Sequence, residues 1–428
     1  MRAEKRKKYL IMIMALVLVL AVPLTYLRVM GASKYINFGE KGAILDRFGG
    51  VLYDGTCFAP DLIGNLTGGN NMISNSLSVR YSQEMTPTGF HPLAGLKSIE
   101  GKVGDNLTTT LLPIADQQIL ADLFGEYNGC CFAYNYITGE VYTMLSLPSS
   151  IEAQATNGAY TNRCLSSRYI PGSTMKIVAA LCALSQDPGF TKFTYTCTGV
   201  EVLPDGNSVT CGGAHGKVTF TSAIGRSCNC YMAAIIQQFQ VVQTQSILEQ
   251  LGIRQQGSNQ SAGFDKLIRV TSRTQFGSNQ QFNDVWSLIG QGYSEMSVVD
   301  MAMIAGAVAN GGKAAAPFVV ASIGNDESTS YSASTGIMKN LIDVEIADLF
   351  SNIWQDAVKQ YYRSGNNTVV PEITCAKTGT AQQGDGTTNR MLLGYMEEKH
   401  VAFMIVVEGL PSGNPLAVTI ANQLAQLI

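Results

Sequence analysis

A chain of 428 residues allows two or so domains and a sizeable core, and only 14% of it is charged, against about a quarter in ordinary soluble domains. With a net charge of −3 there is no positive excess to attract nucleic acid. Three histidines (His91, His215, His400) stand far apart without metal-ligand spacing, and no glycine-rich loop leads into Lys-Ser/Thr, so neither a metal nor a nucleotide cofactor is expected.

Arg2, Lys5, Arg6, Lys7 and Lys8 precede an apolar stretch from Tyr9 to about Leu27. Such a stretch matches the roughly 20 residues that span a bilayer core and is long for a secretory signal. Gly31 and Ala32 make a poor cleavage site, so the expectation is a retained single-pass anchor at 9–28 with a cytoplasmic tail at 1–8. The basic cluster places everything beyond on the outer side. Residues 29–105, rich in Gly, Asn, Ser and Thr, read as a short extracytoplasmic pedestal. Within it, Gly42 to Leu52 reads as two short strands about an Asp46-Arg47-x-Gly49-Gly50 turn.

Residues 106–428 form a denser unit. Leu107 to Leu111 is strand-prone, Ile114 to Phe124 has helical spacing, and Gly129 to Leu147 holds two strands about Thr138-Gly139. Helices are predicted at Cys230–Phe239, Val241–Leu251, Val298–Asn310 and Ile346–Tyr361. Strands follow at Ile373–Ala381, Met391–Met396 and His400–Glu408, then a closing helix at Pro415–Ile428. Strands at both ends with helices between imply one sheet in which the two ends meet.

The segment Tyr169 to Leu184 carries the chemistry. Pro171 and Gly172 break what precedes, and the run Ile177–Leu184 predicts a helix buried on most sides. Ser173 and Lys176, three apart, project from one face, a spacing in which an amine can activate a hydroxyl. A Ser-x-x-Lys match should arise about once by chance in such a chain. Two further matches follow in order, Ser227-Cys228-Asn229 and Lys377-Thr378-Gly379-Thr380.

All ten cysteines (57, 130, 131, 164, 182, 197, 211, 228, 230 and 375) lie on the expected outer side. Their even number would ordinarily mean disulfides, yet Cys130 and Cys131 are adjacent and Cys182 sits within an apolar helix. Cys197 with Cys211 is the one pair to consider bridged.

The three motifs, in this order, resemble the penicillin-binding proteins of the class B, monofunctional transpeptidase kind. The resemblance spans most of 106–428 and includes Asn162-Arg163, Tyr169-Ile170-Pro171-Gly172, His215-Gly216, Gly290-Gln291-Gly292, Ala309-Asn310-Gly311-Gly312 with Pro317, and, upstream, Ile44-Leu45-Asp46-Arg47. The chain departs from the family in its short pedestal and in Ala376, where a glycine is usual.

This resemblance implies an α+β, serine β-lactamase-like fold: an antiparallel sheet flanked by helices, with an all-helical subdomain. It implies that Ser173 is the nucleophile, Lys176 its base, Ser227 a proton relay, and Asn229 a hydrogen-bond partner of Lys176 and of the substrate amide. Lys377 and Thr378 would receive the substrate carboxylate, with Gly379 leaving the strand open to a peptide. The amides of Ser173 and Thr380 would form the oxyanion hole. Expected partners are peptidoglycan stem peptides, β-lactams, the bacterial cell membrane through the N-terminal helix, and a membrane-embedded glycan polymerase; no cofactor is implied. A D,D-carboxypeptidase and a β-lactam sensor or scaffold are the alternatives. Against a β-lactamase, none of Glu249, Glu295, Glu327 and Glu345 has Asn three residues on.

Overall fold

The structure is a computed structural model describing residues 42–52, 60–64, 76–86, 103–148, 162–256, 271–277, 281–325, 328–383 and 386–428, together with Met12 and Met14. Among the described residues no helix is long and apolar enough to cross a membrane. The anchor expected at 9–28 lies outside them but for the two methionines.

Ile44–Leu45 runs parallel to Asn106–Thr109, which pairs in turn with Val320–Gly324. Residues on both sides of the expected pedestal boundary therefore share one sheet. The turn after Leu45 closes on Asp46, whose Oδ1 accepts from the amides of Phe48 (2.8 Å) and Gly50 (2.9 Å).

Helix α1 (Ile114–Phe124) leads into a hairpin of β1 (Gly129–Asn135) and β2 (Val141–Leu147). Between the hairpin and the last strands lie α2 (Met175–Gln186), α3 (Phe220–Arg226), α4 (Asn229–Ile236), α5 (Val298–Ala309) and α6 (Val344–Tyr361). Strands β3 (Cys375–Gln382), β4 (Thr388–Met396) and β5 (Val401–Leu410) and helix α7 (Leu416–Leu427) complete the chain. The five strands form one antiparallel sheet in the order β3-β4-β5-β1-β2, joined by β5 against β1 from Val401↔Asn135 to Val407↔Gly129.

Helix α5 packs on β1, β4 and β5, while α7 and α1 pack together and cover the sheet's other face. Strand β1 is accordingly buried at all seven positions and reads as a continuous run rather than an alternation. Burying a side chain such as Phe132 there contributes about 1.5–3 kcal/mol.

Helix α6 is amphipathic and seats Trp354 wholly inside, edge-on to Tyr395. The indole also donates to Ala376 O (2.9 Å), tying α6 to β3 one residue before Lys377. Trp354→Ala would cost about 3–5 kcal/mol and loosen that strand.

The region around α2 is not all-helical, contrary to expectation. Thr194–Cys197 pairs with Gly216–Thr219, and Val200–Val202 with Ser208–Thr210, as two small antiparallel ribbons. β-Branched residues at Thr194, Thr196, Val200, Val202 and Val209, and a turn at Pro204-Asp205-Gly206, favour strands there over helix.

Candidate active site

Ser173 lies in a tight 3-10 turn, Gly172–Thr174, that runs straight into α2. Thr174 Oγ1 donates to Pro171 O (2.7 Å) and fastens the turn. Gly172 has φ +53°, and a Cβ there would lie 2.5 Å from Thr380 O and 2.8 Å from Thr380 N. The nucleophile turn and β3 thus approach backbone to backbone. A Cβ on Gly290 would in turn lie 1.7 Å from Gly172 O, so Gly290-Gln291-Gly292 forms the far wall of the same turn. Gln291 Nε2 reaches Thr380 O at 3.5 Å.

Every residue from Met175 to Leu184 is buried, Lys176 included. Lys176 Nζ lies 2.7 Å from Ser173 Oγ, 2.9 Å from Ser227 Oγ and 2.8 Å from Ser227 O. No carboxylate is among these partners. Burial, and after it the nearby Lys377, hold the Lys176 amine well below its ordinary range, while the thiols of Cys211, Cys228 and Cys230 act the other way. A lysine ordinarily keeps its proton to about pH 10.4, and half-neutralising one at pH 7 takes roughly 4.6 kcal/mol, which explains why the amine must be buried.

Ser227 caps the C-terminus of α3 in the left-handed region (φ 56°, ψ 41°), an unusual conformation for serine. That twist directs both its hydroxyl and its carbonyl at Lys176. Asn229, first residue of α4, does not hydrogen-bond Lys176 as the resemblance implied: its amide donates to Thr210 O (2.7 Å), and the Ser227 carbonyl occupies that place on the amine.

Lys377 is fully buried in β3 and donates to Thr378 O (3.0 Å). Burial, then Arg390, push its amine down to about 7. Strand β3 stands at the sheet edge, beside the nucleophile turn. The Thr378 hydroxyl meets Tyr362 OH at 3.1 Å, and Arg390, opposite Thr380 on β4, donates to Thr380 Oγ1 at 2.6 Å.

The missing Cβ of Gly379 would sit 2.8 Å from Pro171 O and 2.9 Å from Thr174 Cγ2, so the glycine makes room for the nucleophile turn.

Tyr362 and Arg390 belong to none of the motifs, because only strand register and helix packing bring them here, whereas Gln291 lies within the Gly290-Gln291-Gly292 run. The strand alternation that aligns Arg390 with Thr380 is the signal that could have found it. Asn162 and Arg163 fasten the segment that leads towards the nucleophile turn. Asn162 caps a short helix through the amides of Cys164 (2.9 Å) and Leu165 (3.2 Å) and donates to the buried Asp61 (2.7 Å). Arg163 pairs with Glu408 at 2.9 Å, and Glu408 also accepts from Tyr169 OH (2.7 Å). Cys197 and Cys211 are not bridged: their sulfurs lie 3.8 Å apart, against about 2.05 Å in a disulfide, and all nine described cysteines are free.

A hydroxyl with a buried, uncompensated amine one helical turn away, beside an edge strand, defines a serine acyl-transfer site. The chain matches the family described as penicillin binding protein transpeptidase domain over residues 129–426, and it belongs to that family. It is 25% identical over 323 residues to a protein named peptidoglycan D,D-transpeptidase PbpA from Mycobacterium tuberculosis, an alignment covering 66% of this chain and 61% of the relative. The chain thus spans less than two thirds of the curated relatives it matches.

Among solved structures it resembles penicillin-binding protein A of M. tuberculosis in a ceftriaxone acyl-enzyme complex (TM-score 0.77, 20% identity, 92% of this chain and 99% of that one). It is similar also to the D,D-transpeptidase domain of a peptidoglycan glycosyltransferase from Eggerthella lenta (TM-score 0.75, 20% identity, 91% and 98%). These likenesses establish the fold.

Proposed function

We propose that this protein is a peptidoglycan D,D-transpeptidase, acylated at Ser173 by stem peptides and by β-lactams. The observation that carries the reading is the 2.7 Å contact between Ser173 Oγ and a buried Lys176 amine that has no acidic partner among the described residues.

Neutral Lys176 takes the Ser173 proton as Oγ attacks the carbonyl of the penultimate D-alanine. The negative charge that develops on the carbonyl oxygen is met by the amides of Ser173 and Thr380, a contribution of about 2.7–4 kcal/mol per donor in comparable sites. As the C–N bond breaks, the proton passes from Lys176 through Ser227, 2.9 Å away, to the departing D-alanine nitrogen. An amine of a neighbouring stem then attacks the ester and releases Ser173 with a new peptide bond. A β-lactam opens by the same attack, but its leaving nitrogen stays tethered.

The extended donor adds to the edge of β3. Its carboxylate lies towards Lys377, Thr378 and Thr380, with Arg390 adding positive charge through Thr380. Asn229 is read as a contact for the substrate amide. Residues 106–428 are read as the catalytic unit, 29–105 as the pedestal, and 9–28 as a single membrane anchor that fixes the site outside the cell beside a membrane-embedded glycan polymerase.

Labelling with fluorescent penicillin tests the acylation: wild type should label and Ser173→Ala should not, and labelling of that variant would sink the assignment. Incubation with stem peptides, scored for cross-linked dimer against free D-alanine, separates transpeptidase from carboxypeptidase. Release of D-alanine without dimer would select the latter.

A further inference from the structure

Beside the acyl-transfer site lies a cluster that the reaction does not use. Cys197 ends one ribbon strand, Cys211 follows another, His215 precedes the strand that returns to pair with the first, and Cys228 opens α4. Their ligand atoms all lie within 4.8 Å of one another. Cys211 Sγ is 3.8 Å from Cys197 Sγ and 3.7 Å from Cys228 Sγ, and Cys197 Sγ is 3.7 Å from His215 Nδ1.

Disulfides do not account for these spacings, and three thiols and an imidazole meeting at one point exceed what a lone core cysteine shows. A disulfide would bring two sulfurs to about 2.05 Å and leave the others unpaired. Four ligands held tetrahedrally at about 2.0–2.3 Å from one ion stand roughly 3.5–3.8 Å apart, which matches the three pairs Cys197–Cys211, Cys211–Cys228 and Cys197–His215. Backbone amides already point at the sulfurs as they do at metal-bound thiolates: Asn229 N (3.2 Å) and Cys230 N (3.4 Å) on Cys211, and Tyr231 N (3.4 Å) on Cys228.

We propose that Cys197, Cys211, His215 and Cys228 form a four-coordinate zinc site that braces the turn carrying Ser227. Three sulfurs and one imidazole nitrogen in a closed tetrahedral set suit zinc and leave no position open for catalysis. Binding releases the thiol protons, so part of the metal's affinity becomes folding energy.

The two ribbons need such a staple. Most of their residues face solvent, and two-stranded ribbons are marginal on their own. The site also meets the reaction at one atom's remove, because Cys228 is the middle residue of Ser227-Cys228-Asn229. A fixed Cys228 Sγ holds the left-handed turn at Ser227 that presents hydroxyl and carbonyl to Lys176. Cys228 is thus a positioning residue. Cys230, 3.5 Å from Cys211 but turned to Val209 O, stands outside the set.

The test is metal content of the full chain, purified in detergent with reductant and without chelator. About one zinc per chain is expected, lost in Cys211→Ser and Cys228→Ser and kept in Cys230→Ser. Because a ligand variant can also fail to fold, cobalt(II) added to the metal-stripped wild type provides a second reading: intense visible bands of a tetrahedral site with sulfur-to-cobalt charge transfer. Stripping should slow fluorescent-penicillin acylation at least about tenfold, and zinc, not magnesium, should restore it. Wild type without zinc and without a cobalt spectrum would overturn the site, as would full metal in Cys228→Ser or a Cys197–Cys211 disulfide in the reduced preparation. An unchanged acylation rate after stripping would overturn the bracing role. Metal content is read independently of acylation, so the site and the proposed reaction fail separately.

Discussion

At the scale of single residues, Lys176 decides the chemistry. Its Nζ is wholly buried, and its partners are two hydroxyls and a carbonyl, none of them charged. An ammonium there lacks compensation, so the neutral amine, the form that can accept a proton, is favoured. Lys176→Met should lower the second-order rate of β-lactam acylation about 10²–10⁴-fold, as loss of a general base does, without lowering the melting temperature. A rate within threefold of wild type in stopped-flow would remove Lys176 from the role. In wild type the rate should rise with pH as Lys176 loses its proton. Lys377→Ala removes the second cause of the lowered pKa, so the rising limb should move to higher pH. A profile that stayed in place would show that burial alone sets the base. The Ser173–Lys176 pair was legible in the sequence because both residues sit on one helical turn, and local spacing fixes their distance. Arg390 and Tyr362 were not, since each arrives from an element whose alignment with β3 no local rule specifies.

At the scale of elements, the site is a junction of two turns and strand β3 that meet through backbone. Gly172, Gly290 and Gly379 are each within 3 Å of a neighbouring backbone atom at the point where a Cβ would stand. Gly290→Ala should therefore shift the nucleophile turn, lower acylation at least about tenfold, and destabilise the protein by about 1–3 kcal/mol. Gly206 has a similar positive φ of 84° but nothing within 4 Å, so Gly206→Ala should cost only about 1 kcal/mol and leave acylation alone. Equal effects of the two alanines on acylation kinetics would show that φ strain, rather than crowding at the turn, is what matters.

At the scale of the whole molecule, buried ionisable groups couple stability to pH. Lys377, pushed down to about 7, binds fewer protons folded than unfolded between about pH 7 and 10.4. Its contribution is thus fully present above 10.4 and is lost as pH falls towards 7. Urea midpoints should rise from pH 7 to pH 9.5 more steeply in wild type than in Lys377→Met, by an amount on the order of 4 kcal/mol at most. Parallel slopes would contradict the assignment. Asp61 has the opposite sign: burial raises it to about 7, so the folded state binds more protons between about 3.9 and 7, and stability falls as pH rises through that window. Asp61→Asn keeps an acceptor for Asn162 and carries no charge. It should raise the melting temperature at pH 8 and by only about a third as much at pH 5, and a loss at pH 8 would show that the charged form is the one the fold requires.

What the sequence determined alone were features of short range. Helical spacing, turn residues and motif order specified α1, the β1–β2 hairpin, the buried α2 with its Ser173–Lys176 pair, and a family whose sheet joins the two ends of the unit. Only the tertiary structure decided which glycines serve the nucleophile turn, that Asn229 reaches Thr210 rather than Lys176, and that His215 joins three cysteines. Those contacts link residues far apart along the chain, and their geometry is set by strand register and ribbon folding, which leave no periodic trace in the order of residues.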